Sequence, residues 1–325
     1  MTWLLTGGAG YIGAHIVRAL QEIGRNVVVV DDMTSGFAES VPGDVPLVRA
    51  NILETDVLET TMREHKVVGV VHLAAKKAVG ESVARPLYYY EQNVTAMCHL
   101  LEAMERVGVK KMVFSSSSAT YGDVLVETVT EETPKQPTSP YGETKLIGEW
   151  LMKAQSTATA LSYVSLRYFN VAGAGAPALG DQGVSNLIPL VFRALTAGDP
   201  PKVFGADWPT RDGSCIRDYI HVVDLARAHA AAVRVLDDNA ATGKVLGRVY
   251  NIGTGLGSTV LEVINIARQV TGIDIEPEVV GRRPGDPVRI VADPSAAERD
   301  LGWKATHDLH DMVASAWASW QHQGH

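Results

Sequence analysis

The chain has 325 residues, 46% of them hydrophobic and 20% charged, with 29 Lys and Arg against 37 Asp and Glu for a net charge of −8. At roughly 150 residues per domain this predicts about two domains with ample interior, which excludes a disordered chain and a small disulfide-stapled scaffold. With no basic block to neutralise phosphates, no apolar run near ~20 residues and no basic leader, neither nucleic acid nor membrane is an expected partner, and a cytoplasmic location is expected.

In chain order, Trp3-Leu4-Leu5 reads as a buried strand running into a glycine turn, followed by helical apolar spacing from Ile12 to Ile23 and a second apolar run, Val27 to Val30. Buried strands are expected at Val67 to Leu73 and Lys111 to Ser115, with a helix from Glu91 to Val107 between them. A helix should start at Pro140, capped by Ser139, and reach about Lys153, and Val164 to Phe169 is the next strand. Such alternation builds a parallel sheet covered by helices on both faces. After Asn170 the texture turns Gly- and Pro-rich at 173–183 and 199–213, around an apolar helix near Leu187 to Leu195. Core-like patterns return at Ile220 to Val235 and Val249 to Ile252. The expected class is α/β: a doubly wound parallel sheet of the Rossmann type over 1–170, with a smaller α/β substrate domain over 171–325. The chain is expected to recross into the first domain around 218–252. Trp317 and Trp320 mark the packed face of a last helix, and the tail 321–325 reads as a solvated end.

The turn Thr6-Gly7-Gly8-Ala9-Gly10-Tyr11-Ile12-Gly13 contains G-x-G-x-x-G on Gly8, Gly10 and Gly13, and G-x-x-G-x-x-G on Gly7, Gly10 and Gly13. A strand-to-helix turn free of side chains lets backbone N–H groups and the helix N-terminus approach a pyrophosphate, and the last glycine lets helix and strand pack closely. Asp31 ends the next strand about twenty residues on, where a carboxylate accepts from adenosine ribose hydroxyls. Asp32 adds a second negative charge where a 2′-phosphate would lie, so NAD is expected over NADP.

Tyr141 and Lys145 lie four apart on one face of the expected helix. A phenol of pKa about 10 is a poor base at neutral pH, and lowering it by ~3 units takes roughly 4 kcal/mol, within reach of a nearby ammonium and a cationic nicotinamide. Ser115-Ser116-Ser117-Ser118 ends a strand at the carboxyl edge of the sheet, where open α/β sheets bind ligands, and alternation puts Ser115 on the face of Ser117, where it would help hold the cofactor. Cys98 and Cys215 lie far apart, His72 and His221 read as histidines satisfied within the core, and no metal constellation is visible.

With these motifs, Lys77-Ala78-Val79-Gly80-Glu81-Ser82, Leu166-Arg167-Tyr168-Phe169-Asn170, Gly213 through Val222, and Arg282-Arg283-Pro284-Gly285-Asp286-Pro287 complete a pattern spanning nearly the whole chain. It resembles the extended short-chain dehydrogenase/reductase family and, within it, the UDP-glucose 4-epimerases (UDP-galactose 4-epimerases). The resemblance implies NAD-dependent interconversion of UDP-glucose and UDP-galactose, an isomerase reaction in which C4 is oxidised, the 4-keto sugar rotates and the ketone is re-reduced. It makes Tyr141 the general base, Lys145 the ligand of the nicotinamide ribose, and a serine the partner of the reacting hydroxyl. Counting selects Ser117, with Ser118 as the alternative. Further cofactor contacts implied are Tyr11, Ile12, Ile52, Leu73, Ala74, Ala75, Lys77, Asn93 and Tyr168, with Asn51 where the family commonly has aspartate. Asn170, Asn186, Leu187, Phe204, Arg217, Arg283, Asp286 and Ile290 are implied substrate ligands. Arginine forks suit a diphosphate and Asp286 suits ribose hydroxyls. Family members confined to plain hexoses tend to have tyrosine at position 290, so isoleucine there implies UDP-GlcNAc and UDP-GalNAc as additional substrates. A homodimer through Glu91 to Val107 and Ser139 to Lys153 is also implied. A 4,6-dehydratase would need an Asp-Glu pair after the serine, which Ser-Ser-Ser-Ala-Thr-Tyr-Gly lacks. A non-catalytic NAD-sensing protein would have no need of Ser117, Tyr141 and Lys145 together.

Overall fold

The computed structural model describes residues 1–283 and 286–324. Pro284 and Gly285 of the motif at 282–287, and the terminal His325, lie outside the described residues.

A parallel sheet forms from β1 (Thr2–Thr6), β2 (Asn26–Asp31), β3 (Leu47–Arg49), β4 (Val67–His72), β5 (Lys111–Ser117), β6 (Ser162–Tyr168) and a closing strand, Gly247–Ile252. The spatial order is closing strand-β6-β5-β4-β1-β2-β3, so the direction of winding reverses between β1 and β4. That reversal opens a crevice at the carboxyl ends of the strands. Both faces are covered. Trp3, Leu5, Val27, Val29 and Val113 share a core with helices Tyr11–Glu22 and Val222–Ala240. Leu4, Val28, Val30, Met112 and Phe114 share the opposite core with helices Thr55–Glu64, Ala96–Val107 and Pro140–Thr159. Alternate residues of each strand serve alternate faces, and burial on both sides is why these strands read as unbroken apolar runs.

The structure departs from the sequence expectation where polar residues carry the backbone. β5 continues past the expected end at Ser115 through buried Ser116 and Ser117, which extend the ladder opposite Arg167 and Tyr168 of β6. The helix ending at Val107 starts at Pro86–Tyr89 and passes through a π-helical turn, Tyr90–Thr95, a rare form that is frequent at functional sites. Ser139 does cap the helix that follows β5, accepting from the Gly142 N–H at 3.2 Å, and this helix runs past Lys153 to Thr159. β3 and helix Thr55–Glu64 were not anticipated, the helix burying only Leu58, Thr61 and Met62.

Beyond β6 the chain builds a smaller α/β layer. Asn170–Ala172 pairs with Tyr219–His221, and Ile216–Arg217 pairs with both Ser258–Thr259 and Arg289–Ile290. Helices Leu187–Ala197, Val260–Thr271 and Leu309–His322 enclose a separate core, with Trp317 and Trp320 packed on Phe192 at 5.2 and 5.9 Å between ring centres. Among the described residues no helix is long and apolar enough to cross a membrane.

Candidate active site

The turn after β1 is shaped by close approach. A Cβ on Gly13 would stand 2.1 Å from the Gly7 carbonyl oxygen, and one on Gly7, whose φ is +76°, would stand 2.8 Å from the Ala74 nitrogen. Side chains are thus excluded both where helix Tyr11–Glu22 leaves the turn and where the loop Leu73-Ala74-Ala75 crosses it. Leu73 and Ala74 donate to the Thr6 carbonyl at 3.1 and 3.2 Å, which fixes that loop at the end of β1. The helix starts at Gly10 with no side-chain cap and no acidic residue in its first turn, leaving its N–H groups for an anion. A bare, tightly packed helix start of this kind fits a dinucleotide pyrophosphate.

Asp31 is buried at the end of β2 and accepts from the Ala9 and Met33 N–H groups at 3.0 and 2.9 Å. Burial raises its pKa against these two bonds. Burial also acts on Asp32, but hydrogen bonds from Thr34 and the charge of Lys76 hold its carboxyl below the usual value. Asn51 donates to Asp32 at 3.3 Å, where an aspartate would have repelled it, and Ile52 beside it is buried. Asn93, in the π-helical turn, is buried and clamps the Lys76 backbone at 2.8 and 3.0 Å while donating to Thr144 at 3.0 Å. Lys77 is exposed. It is Lys76, which sequence reading passed over, that turns back towards Asp32.

Ser117 is the last residue of β5, and its hydroxyl accepts from the Ala119 N–H at 3.2 Å. Tyr141 sits in the first turn of helix Pro140–Thr159, buried; burial raises its pKa above the ordinary phenol value, and the Ser117 hydroxyl opposes the rise. One turn on, Lys145 is buried with its ammonium 6.0 Å from the Tyr141 ring centre and donating to the Ser115 carbonyl at 2.8 Å. Burial lowers its pKa to about 8. Ser115 faces away from solvent. Its hydroxyl donates to His229 Nε2 at 2.9 Å, since the other ring nitrogen faces the Leu225 carbonyl. Its carbonyl holds Lys145, and its hydroxyl also acts on the Tyr168 phenol. Tyr168 lies opposite Ser117 in the ladder, with its phenol also raised by burial. Ser118, half-buried, is the first residue past the strand.

Beneath this group lies an ion pair that the sequence reading missed. Glu149 and Arg167 are both buried; Arg167 donates to Glu149 Oε1 and Oε2 at 2.8 and 2.5 Å and to the Tyr121 hydroxyl at 2.9 Å. Ser116 also donates to Glu149, at 2.5 Å. Burial works against the guanidinium charge, and the Glu149 carboxylate more than restores it. The available signal was spacing: Tyr141, Lys145 and Glu149 recur every four residues, placing three polar side chains on one buried helix face.

The other candidate residues approach from the smaller layer. Arg217, Arg283 and Asp286 meet: Asp286 accepts from Arg283 at 2.9 and 3.0 Å and stands 3.6 Å from Arg217. The Arg283 guanidinium lies 5.3 Å from the half-exposed Phe204 ring. Asn170 is exposed at the start of the strand Asn170–Ala172 just past β6, and Leu187 opens a helix whose preceding residue, Asn186, is exposed and donates to Asp181 at 2.8 Å. Ile290 is buried, 8% exposed, in a small cluster with Tyr121, Val129, Phe169 and Ala292. His72 is hydrogen-bonded to Thr6 at 2.7 Å and His221 to Ser315 at 3.0 Å, each within the core.

Comparison with known proteins adds an independent line. Residues 3–253 match the NAD dependent epimerase/dehydratase family. A UDP-glucose 4-epimerase of Corynebacterium glutamicum is 43% identical over 321 residues, covering 98% of this chain and 95% of the other. The structure of a UDP-glucose-4-epimerase from Stenotrophomonas maltophila with bound NAD and formylated UDP-arabinopyranose superposes with a TM-score of 0.94 at 39% identity, covering 100% and 99% of the two chains. A UDP-Glc/GlcNAc 4-epimerase from Campylobacter jejuni superposes with a TM-score of 0.84 at 34% identity, covering 99% of each.

Proposed function

The chain belongs to the NAD dependent epimerase/dehydratase family, and from that premise we propose that it interconverts UDP-glucose and UDP-galactose at C4 with NAD as its resident cofactor. The observation that carries this reading is the convergence of Ser117, Tyr141 and Lys145 on the carboxyl edge of a sheet whose first turn has no room for a side chain at Gly13. In this reading residues 1–170, with the return at 218–252, hold the cofactor, and 171–325 mainly hold the sugar nucleotide. Gly7, Gly10, Gly13, Tyr11 and Ile12 seat the pyrophosphate, and Asp31 takes the adenosine ribose. Bound NAD supplies a hydride acceptor at C4 and returns the hydride, so it is not consumed. Tyr141 takes the proton of the sugar 4-hydroxyl at its phenolic oxygen and gives it back, Ser117 orients that hydroxyl, and Lys145 favours the phenolate by its charge. Arg217 and Arg283 grip the diphosphate, which leaves the hexose free to present either face. Purified protein incubated with UDP-galactose and no added cofactor is expected to form UDP-glucose. Strict dependence on added NADP, or release of a 4-keto-6-deoxy sugar, overturns the assignment.

A wider substrate range is proposed from Ile290. Isoleucine has about four fewer side-chain heavy atoms than tyrosine, and an N-acetyl group adds about three over a hydroxyl, so the volumes roughly compensate. Likeness to a UDP-Glc/GlcNAc 4-epimerase supports this. UDP-GalNAc should be turned over, and Ile290→Tyr should lose that activity while keeping UDP-galactose. Equal loss of both activities, or none with UDP-GalNAc in the parent, refutes it.

We further propose a homodimer through the helices ending at Val107 and starting at Pro140. Trp150, 61% exposed in the second of them, together with exposed Leu87 at the start of the first and exposed Val83 just before it, supports this. Sedimentation at micromolar concentration should find dimer; monomer alone contradicts the proposal.

A further inference from the structure

Lys76 belongs to none of the motifs that carry the family likeness, yet among the described residues it is the cation that meets the acidic end of β2. Its ammonium donates to the Thr34 hydroxyl at 2.9 Å and stands 3.8 Å from Asp32 Oδ2. The Thr34 N–H and hydroxyl donate to Asp32 Oδ1 at 3.0 and 2.7 Å, closing a turn that holds acid and base together. The two side chains are only 22% and 27% exposed, so their attraction is partly shielded from water. Lys76 is also fixed from behind, since its backbone N–H and carbonyl are both engaged by the buried Asn93.

We propose that Lys76 is a latent phosphate ligand at the adenosine end of the cofactor site, and that Asp32 decides against NADP by neutralising it. This rests on the proposed reading of the glycine turn and Asp31 as an NAD site. A 2′-phosphate is dianionic, and a nearby cation is what accommodates it in dinucleotide folds. With Asp32 in place the phosphate meets two carboxylates, Asp31 and Asp32, and an ammonium already compensated by one of them. Without Asp32, the Lys76 ammonium keeps its Thr34 contact and has two of its three donors free to turn to an anion. Asp31 remains, so the outcome is relaxed selectivity and not reversal.

The test compares the parent, Asp32→Ser and the near-isosteric Asp32→Asn, each with and without Lys76→Met. Each purified protein is equilibrated with equimolar NAD and NADP and desalted, and the retained dinucleotides are quantified by chromatography. Both Asp32 variants should raise the NADP-to-NAD ratio by roughly tenfold or more, the worth of a charge-assisted hydrogen bond, and Lys76→Met should remove most of that rise. A Lys76 that merely braces the Thr34 turn would leave the rise intact, and that result overturns the proposal. So does an unchanged ratio in both Asp32 variants that still retain NAD. A parent retaining neither dinucleotide overturns the cofactor site itself and this inference with it.

Discussion

A Tyr141→Phe enzyme is expected to turn over UDP-galactose at least ~10²-fold more slowly than the parent while binding UDP-sugar nearly as well. The substitution keeps the ring in its buried seat, where it lies 6.0 Å from the Lys145 ammonium, and removes only the phenolic oxygen, the proposed site of proton exchange. Burial by itself pushes the phenol up. Phenolate formation therefore depends on positive charge brought close, from Lys145, which burial has lowered only to about 8, and from the cationic ring of the cofactor. Ser117→Ala should fall in the same direction and Ser118→Ala should not, because Ser117 is the serine whose hydroxyl acts on Tyr141. Initial rates together with a UDP-binding measurement decide this, and near-normal turnover in Tyr141→Phe removes the phenol from the mechanism.

Glu149→Ala is expected to lower the unfolding free energy by ~3–5 kcal/mol, because it strands a buried guanidinium without its carboxylate. Among the described residues, the hydrogen-bond partners left to the Arg167 side chain would be the Tyr121 hydroxyl and the Glu131 carbonyl, at 2.9 and 3.3 Å. Burying an ion pair costs about as much as its attraction returns, so Glu149→Leu with Arg167→Met should recover most of the loss. Denaturant titration of the single and double variants reads both effects. A loss below ~1 kcal/mol in Glu149→Ala shows that the pair is dispensable. Ser116, which donates to Glu149, adjoins Ser117 in β5, so the single variant should also lose turnover through a displaced strand end.

Much of the central sheet was legible in the sequence, since buried parallel strands are apolar at every position and helices between them keep their own period. Legibility failed where partners lie across the fold. The strand expected to end at Ser115 gains Ser116 and Ser117 only once Arg167 and Tyr168 are placed beside them. Helix Thr55–Glu64 buries too few residues to leave a clear stripe.

The same division runs through the candidate site. The glycine turn, Asp31 and the Tyr141/Lys145 spacing follow from the sequence by itself, because each depends on local geometry: a missing Cβ, the end of a strand, one turn of helix. Which lysine meets Asp32, how Glu149 finds Arg167, and how Arg217 reaches Asp286 were decided only by the tertiary structure. These are pairings of charge between elements remote in sequence, and a charge has no period and no preferred neighbour along the chain. Its partner is whatever the packed sheet and helices bring within a few ångströms.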